Sequence, residues 1–329
     1  MIAERTLNQT LHIAKSAKKD EFYTQLSDIE SELKYYEKHF KNKVVFCNCD
    51  DPRNSNFFNY FAYNFEKLGL KKLITTCYKN QETDLFFQEE NEKAVFLEYT
   101  GDKNGNKIPD AEEIGLTPLK GDGDFRSKES IELLKQADIV VTNPPFSLFR
   151  EYVDQLVKYD KKFLIIGNIN AITYKEIFKL IKENKAWLGI NMGRGISGFI
   201  VPNHYELYGT ETRIDEFGNR IISPNNCLWL TNLDTFKRHE DILLTKTYYG
   251  NETVYPKFDN YNAINVNKTQ DIPMDYEGVM GVPITFLHKY NPDQFELIKF
   301  RKGDDEKDLS INGKCPYFRI LIRNKRLVK

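Results

Sequence analysis

"DIVVTNPPFSLFREYVDQL", residues 138–156, decides how this chain folds. A short run of strand-forming residues closes on Asn143, and two prolines follow at once. Consecutive prolines remove two backbone donors and stiffen the chain, so the strand must stop there. From Ser147 onward, "SLFREYVDQLVKYD" reads as a helix. A buried strand, an abrupt break and a helix form the repeating unit of an α/β sheet.

Working outward, the same alternation recurs. "KVVFCNCDD" reads as a buried strand ending at acids, "SNFFNYFAYNFEKLGL" as a helix stopping at Gly69, and "KKLITTCY" as a strand. Downstream come the strand "KKFLIIGNI", the helix "TYKEIFKLIKEN" and the strand "KAWLGI". Upstream, "LSDIESELKYYEKHF" spaces Ile29, Leu33, Tyr36 and Phe40 as one helical face. Strands alternating with helices predict a parallel α/β sheet. Residues 80–120 read as polar and irregular, with "DKNGNKIPD" as a turn. "NNCLWLTNL" (225–233) reads as a further strand closing the sheet. The pattern has already changed after about residue 190, where Gly, Asn, Pro and aromatic residues dominate, and no long clean helix is read until "NPDQFELIKFRK". A boundary is expected near residue 235, with residues 1–235 as one domain and 236–329 as a smaller region.

The 329 residues are 40% hydrophobic and 29% charged, an ordinary globular composition. No run of apolar residues is long enough to span a membrane, and no signal core opens the chain. The five cysteines, Cys47, Cys49, Cys77, Cys227 and Cys315, are odd in number and scattered, which suits a reduced, cytoplasmic setting. Cys47 and Cys49 lack a second cysteine pair, and "DKNGNKIPDAEE", near calcium-loop spacing, has Lys107 where such a loop needs Gly, so no metal is expected. Net charge is −1, yet residues 281–329 hold eleven Lys or Arg against six Asp or Glu. The last eleven residues, "RILIRNKRLVK", carry no acid, which suits either a phosphate-facing surface or a solvated basic tail.

Ligands of open parallel sheets sit at the carboxyl ends of strands. Three polar strand ends are available: "CNCDDP" (47–52), "GDGDF" (121–125) and "NPPF" (143–146). None is a glycine-rich dinucleotide fingerprint or phosphate loop. Asn143 offers an amide, Pro144 and Pro145 offer carbonyls without donors, and Phe146 offers a flat apolar face. Rigid acceptors beside a stacking ring match a planar group bearing –NH2, such as a nucleobase or an amide. The alternative for the tetrapeptide alone is a plain strand-to-helix turn.

Asn-Pro-Pro-Phe after a sheet strand resembles the catalytic motif of S-adenosylmethionine-dependent amino-methyltransferases. "DEFYTQLSDIESEL" (20–33), "VVFCNCDDPRNSNFF" (44–58), "CLWLTNL" (227–233) and "GVMGVPITFLHKYNP" (278–292) are similar to the EcoRI-type adenine-N6 DNA methyltransferases. The likeness runs over most of the chain and is weakest across 79–118. It implies a Rossmann-like methyltransferase sheet with helices on both faces, followed by a C-terminal DNA-recognition region. It implies methyl transfer to a flipped adenine in duplex DNA, within GAATTC at its second adenine, in a restriction–modification or self-protection system. A cognate restriction endonuclease would share the site without binding the enzyme.

The resemblance also assigns roles. Asn143 and the Pro144 carbonyl would accept from the exocyclic amine, with Pro145 fixing the turn and Phe146 stacking on the base. Phe22, Tyr23 and Thr24 would close over the methionine end of the cofactor. Asn48, Cys49, Asp50 and Asp51 stand where the family's glycines and neighbouring positions are expected. Asp50 or Asp51 would replace a missing ribose-binding acid, since Cys77 and Tyr78 occupy that place. Asp124 and Phe125 would read the cofactor's adenine; a tight turn capped by Asp122 or Asp124 is the alternative. Arg194, Arg213 and Arg220, in loops 192–226, would contact DNA. Methylation of RNA adenine or of protein glutamine, and a non-catalytic nucleic-acid-binding module, remain rival readings of the same residues.

Overall fold

A computed structural model describes residues 23–49, 55–76, 94–106, 109, 113–201, 211–223 and 226–327. Compactness divides the chain into residues 1–171 with 191–233, and residues 172–190 with 234–329.

The first unit opens with β1 (Tyr23–Thr24) and helix α1 (Leu26–Leu33). Ile29, Leu33, Tyr36 and Phe40 are all fully buried, as their spacing predicts. β2 (Val44–Cys47) leads to α2 (Asn56–Tyr63), whose first turn is capped by the Ser55 side chain accepting from the Phe58 amide. The short α3 (Phe65–Leu68) ends at Gly69 in the left-handed conformation, the usual role of a helix-terminating glycine. β3 (Lys72–Thr76) follows.

Residues 94–118 depart from the sequence expectation of irregular chain. They hold β4 (Val95–Tyr99) and β5 (Gly115–Pro118), paired antiparallel. Along β4, Val95, Leu97 and Tyr99 are buried and Phe96 and Glu98 half-buried, a period of two that the polar flanks obscure. Then come α4 (Lys128–Gln136), β6 (Ile139–Thr142), α5 (Phe149–Lys158) and β7 (Lys162–Asn168). Strands β5-β4-β3-β2-β6-β7, with β12 (below), form one sheet in that order. β3, β2, β6 and β7 are mutually parallel.

α6 (Lys175–Lys182) precedes β8 (Trp187–Met192), within which the chain passes between the two units. A second sheet of the first unit holds β9 (Phe199–Val201), β10 (Glu211–Ile214) and β11 (Arg220–Ser223) in the order β1-β9-β11-β10. β12 (Cys227–Thr231) joins the large sheet against β7, antiparallel, and β8 follows it as the edge strand.

The second unit carries β13 (Ala263–Asn265), β14 (Val279–Pro283), β15 (Phe295–Phe300) and β16 (Arg319–Asn324), in the order β13-β14-β16-β15. Two expectations are corrected here. "NPDQFELIKFRK" contributes a strand rather than a helix, because Phe295 and Leu297 are buried and Glu296 is exposed between them. "RILIRNKRLVK" is no solvated tail: Ile320, Leu321 and Ile322 are fully buried in a strand paired on both sides.

Candidate active site at a sheet switch point

From β2 the chain goes to β3 on one side, and later returns to β6 on the other. The carboxyl ends of β2 and β6 therefore form a topological switch point. Val45 and Phe46 pair with Ile139 and Val140, so the ends of these strands bring residues 48–49 level with 142–143. Two asparagines stand there, Asn48 at 3% exposure and Asn143 at 7%.

The proline pair is asymmetric. The Pro145 carbonyl accepts from the Leu148 amide at 3.0 Å, starting a single 3-10 turn over Phe146–Leu148 before α5. The Pro144 carbonyl has no hydrogen-bond partner among the described residues. Of the two carbonyls that the sequence offers as acceptors, the one on Pro145 is thus already engaged. Phe146 is half-buried and meets Phe199 of β9 edge to face, with centroids 6.2 Å apart.

Phe199 links this turn to β1. Thr24 pairs with Phe199, and Tyr23 with Ile200. The Asn56 amide nitrogen, at the start of α2, donates to the Thr24 carbonyl at 2.8 Å. Thr24 is 1% exposed, and its hydroxyl has no partner among the described residues. The same holds for the hydroxyls of Thr75 and Thr76, which end β3, and of Thr142, which ends β6.

Tyr152 organises the floor of the site, and the sequence reading did not select it. Its hydroxyl donates to the Asn48 side-chain oxygen, which also accepts from the Cys49 thiol at 3.8 Å. Full burial pushes the Tyr152 phenol far above its ordinary range, so it remains a donor. Its ring meets Phe125 edge to face at 5.1 Å. Gln155, one turn on, donates to the Phe125 carbonyl at 3.0 Å. One face of α5 thereby joins Asn48, Cys49 and Phe125. The buried stripe Phe149, Tyr152, Val153 and Leu156 was legible as a helical period, but not that its tyrosine carries a hydrogen bond. Gly167 of β7 lets Phe149 approach: a Cβ there would lie 2.5 Å from the ring.

Asp124 stands differently from its expected role. Arg126 grips it with side-chain contacts of 2.9 and 2.6 Å, and the Arg126 amide donates to it at 2.8 Å. These bonds hold its carboxyl below the ordinary range, so both oxygens are engaged and anionic. The cap of α4 is Ser127, accepting from the Ser130 amide, rather than Asp122 or Asp124.

The arginines gather on the smaller sheet but not on one face. Arg194 is exposed in the turn before β9. Arg213 pairs with Ile221 and Arg220 with Ile214, so alternation sends the two side chains to opposite faces. Arg213 donates to the Ser197 carbonyl and the Ser223 hydroxyl. Ser197 in turn donates to Asp28 of α1 from its amide and hydroxyl. Burial pushes the Asp28 carboxyl up against these bonds and the Arg213 charge. Phe22, Asp50 and Asp51 lie outside the described residues, as do Cys77 and Tyr78.

The sequence model of the family described as "Adenine-specific methyltransferase EcoRI" matches residues 10–325. The type II methyltransferase M.EcoRI of Escherichia coli is 69% identical over 328 residues, covering 100% of each chain. The type II methyltransferase M.MgeORF184P of Mycoplasma genitalium is 41% identical over 341 aligned positions, covering 95% of this chain and 98% of its own. The type II methyltransferase M.MpnI of Mycoplasma pneumoniae is 41% identical over 289, covering 87% and 83%. No solved structure matches.

Proposed function

This chain belongs to the EcoRI family of adenine-specific methyltransferases, DNA-modifying enzymes of restriction–modification systems, and from that premise we propose that the β2/β6 switch point is its active site, with S-adenosylmethionine as methyl donor. The observation that carries the reading is the partnerless Pro144 carbonyl beside buried Asn143, at the carboxyl edge of a parallel sheet.

The residues present fit that cofactor. The partnerless Thr24 hydroxyl suits its carboxylate, since a buried unpaired hydroxyl costs about 1–3 kcal/mol until a ligand satisfies it. Asn48, Cys49, Phe125 and Tyr23 line up as further contacts, with Asp124 offering remaining lone pairs beside Arg126. Phe22, Asp50 and Asp51 complete the set by resemblance. Bound, the cofactor supplies an electrophilic methyl group on a sulfonium sulfur. The sheet is read as the Rossmann-like methyltransferase type.

The chain's own work is to make an exocyclic nitrogen nucleophilic. An adenine N6 lone pair is delocalised into the ring. Hydrogen bonds from N6–H to the Asn143 side-chain oxygen and the Pro144 carbonyl favour the localised form, and rigidity keeps their geometry fixed during the reaction. Pro145 keeps its own carbonyl inside the turn, so one backbone acceptor is presented. Phe146, braced by Phe199, offers a ring for an adenine flipped from the duplex. Arg194, Arg213 and Arg220 contact DNA, and residues 236–329 serve as the main recognition region. The target is GAATTC, modified at the second adenine, on DNA in the cytoplasm, with a restriction endonuclease reading the same site.

The test is tritiated-methyl transfer to duplex DNA, followed by sequencing of the modified base. The expected product is N6-methyladenine in GAATTC, and Asn143→Ala should lower the rate about 10²–10³-fold with cofactor binding retained. Transfer only to RNA or protein, or an unchanged rate in the variant, would overturn the reading.

A further inference from the structure

The second unit contains a cavity of about 310 Å³ with no part in the chemistry above, lined by Arg301, Asp308, Leu309, Cys315, Pro316, Tyr317, Phe318 and Arg319. Its charges are unevenly matched. Arg301 forks onto Asp308 at 2.7 and 2.6 Å, and Lys302 adds a second cation to the same carboxylate at 2.9 Å. Arg319 has no carboxylate partner among the described residues. Its side-chain donors reach only neutral oxygens, Asn265 Oδ1 at 2.9 Å and the Tyr317 carbonyl at 2.5 Å. Arg319 is half-buried, and desolvation acts on it without any compensating acid. A guanidinium keeps its charge under such conditions, so the cavity holds a cation awaiting an anion.

An aromatic stack stands beside it. The Arg301 guanidinium lies 4.1 Å from the Phe318 ring centre. Tyr317 stacks against Phe318, centroids 5.0 Å apart and planes 26° from parallel. Tyr317 itself is 65% exposed, so the outer end of the stack is open. An unpaired arginine next to an open aromatic platform matches a nucleotide unit: guanidinium to phosphate, ring to sugar or base.

We propose that this cavity is a phosphate-binding subsite for the nucleic-acid backbone, with Arg319 gripping a phosphodiester and Tyr317 covering the adjoining nucleotide. The choice of DNA as the occupant rests on the function proposed above. The subsite lies in sequence stretches outside the NPPF motif and outside the loops 192–226, so it adds contacts that neither supplies.

Cys315 lines the cavity and is exposed, while Cys47 and Cys227 are buried and Cys49 is partly so. It is therefore a built-in reporter on the unaltered protein. The rate of Cys315 alkylation by N-ethylmaleimide is followed by peptide mass spectrometry, alone, with a short GAATTC duplex, and with inorganic phosphate. Saturating duplex should slow it about tenfold or more, since occupancy shields the thiol in proportion to bound fraction. In parallel, Arg319→Gln should flatten the dependence of log affinity on log salt by about 0.9, one phosphate contact, while Arg319→Lys retains the slope. Unchanged alkylation with duplex, or an unchanged slope in Arg319→Gln, overturns the subsite. Equal protection by inorganic phosphate overturns the nucleic-acid assignment in favour of a free-anion site. Methyl transfer is scored in the same samples. Methylated DNA with an unprotected Cys315 sinks the subsite alone, whereas absent methylation sinks the function and leaves the footprint to judge the cavity.

Discussion

Tyr152 shows how much one buried hydroxyl decides. Without its bond, the Asn48 side-chain oxygen would lose its strongest donor at 3% exposure. An amide left short of a donor in a dry setting costs about 1–3 kcal/mol, and Tyr152→Phe should lower unfolding stability by that amount, measured by denaturant melt. The same variant should weaken cofactor binding in calorimetry, because Asn48 and Cys49 are positioned through it. The two prolines make a complementary point: identical residues, side by side, end in different circumstances, one carbonyl used by Leu148 and the other left over. Asn-Pro-Pro-Phe was legible as an acceptor array; which carbonyl remained available depended on the turn that follows.

Among elements, the smaller sheet of the first unit matters most to the site. It couples Thr24, on the strand expected to meet the cofactor, to Phe199, which braces Phe146. Gly198 sits at its entrance with φ +128°, and a Cβ there would lie 2.7 Å from the Ile222 carbonyl and 2.5 Å from the Ser223 hydroxyl. Gly198→Ala combines backbone strain with an overpacked backbone contact, and should cost about 2–4 kcal/mol. Hydrogen exchange should then show lost protection first in β9 and β1, with the large sheet unaffected. The parallel strands of the large sheet and most of its helices were readable from period and punctuation, though α4 was passed over. β4 and β15 were not, since each alternates over only five or six residues amid charged neighbours, where a few positions fit a helical spacing as well as a period of two.

At the scale of the whole molecule, a half-buried histidine of the second unit ties stability to pH. His288 is packed against the Ile190 carbonyl at 2.8 Å and Lys237 at 2.7 Å from its Nε2. Burial is the main cause that lowers its pKa below the ordinary 6.5, helped by the Lys237 charge. The unfolded chain therefore takes up the proton first as pH falls. Stability contributed by neutral His288 is present above about pH 6.5 and lost as pH drops through the lower folded value. Unfolding free energy should decline as pH falls below about 6.5, and His288→Gln should flatten that decline; the check is denaturant titration at several pH values with NMR titration of the imidazole.

The alternation of strand and helix, the stop at Asn143 and the acceptor-rich turn after it were determined by the sequence alone, because they depend on local propensities and on donors that proline lacks. The family likeness followed from the same stretches. Which residues meet was decided only by the tertiary structure. Parallel pairing of β2 with β6 brings Asn48 and Cys49 level with Thr142 and Asn143 across more than ninety intervening residues, and strand order is a matter of long-range burial that no local pattern encodes. The basic C-terminal stretch is the plainest case: its charges are visible in the sequence, but that Arg319 sits half-buried on a strand between β14 and β15, with only neutral oxygens in reach among the described residues, is an arrangement that exists only once the sheet has formed.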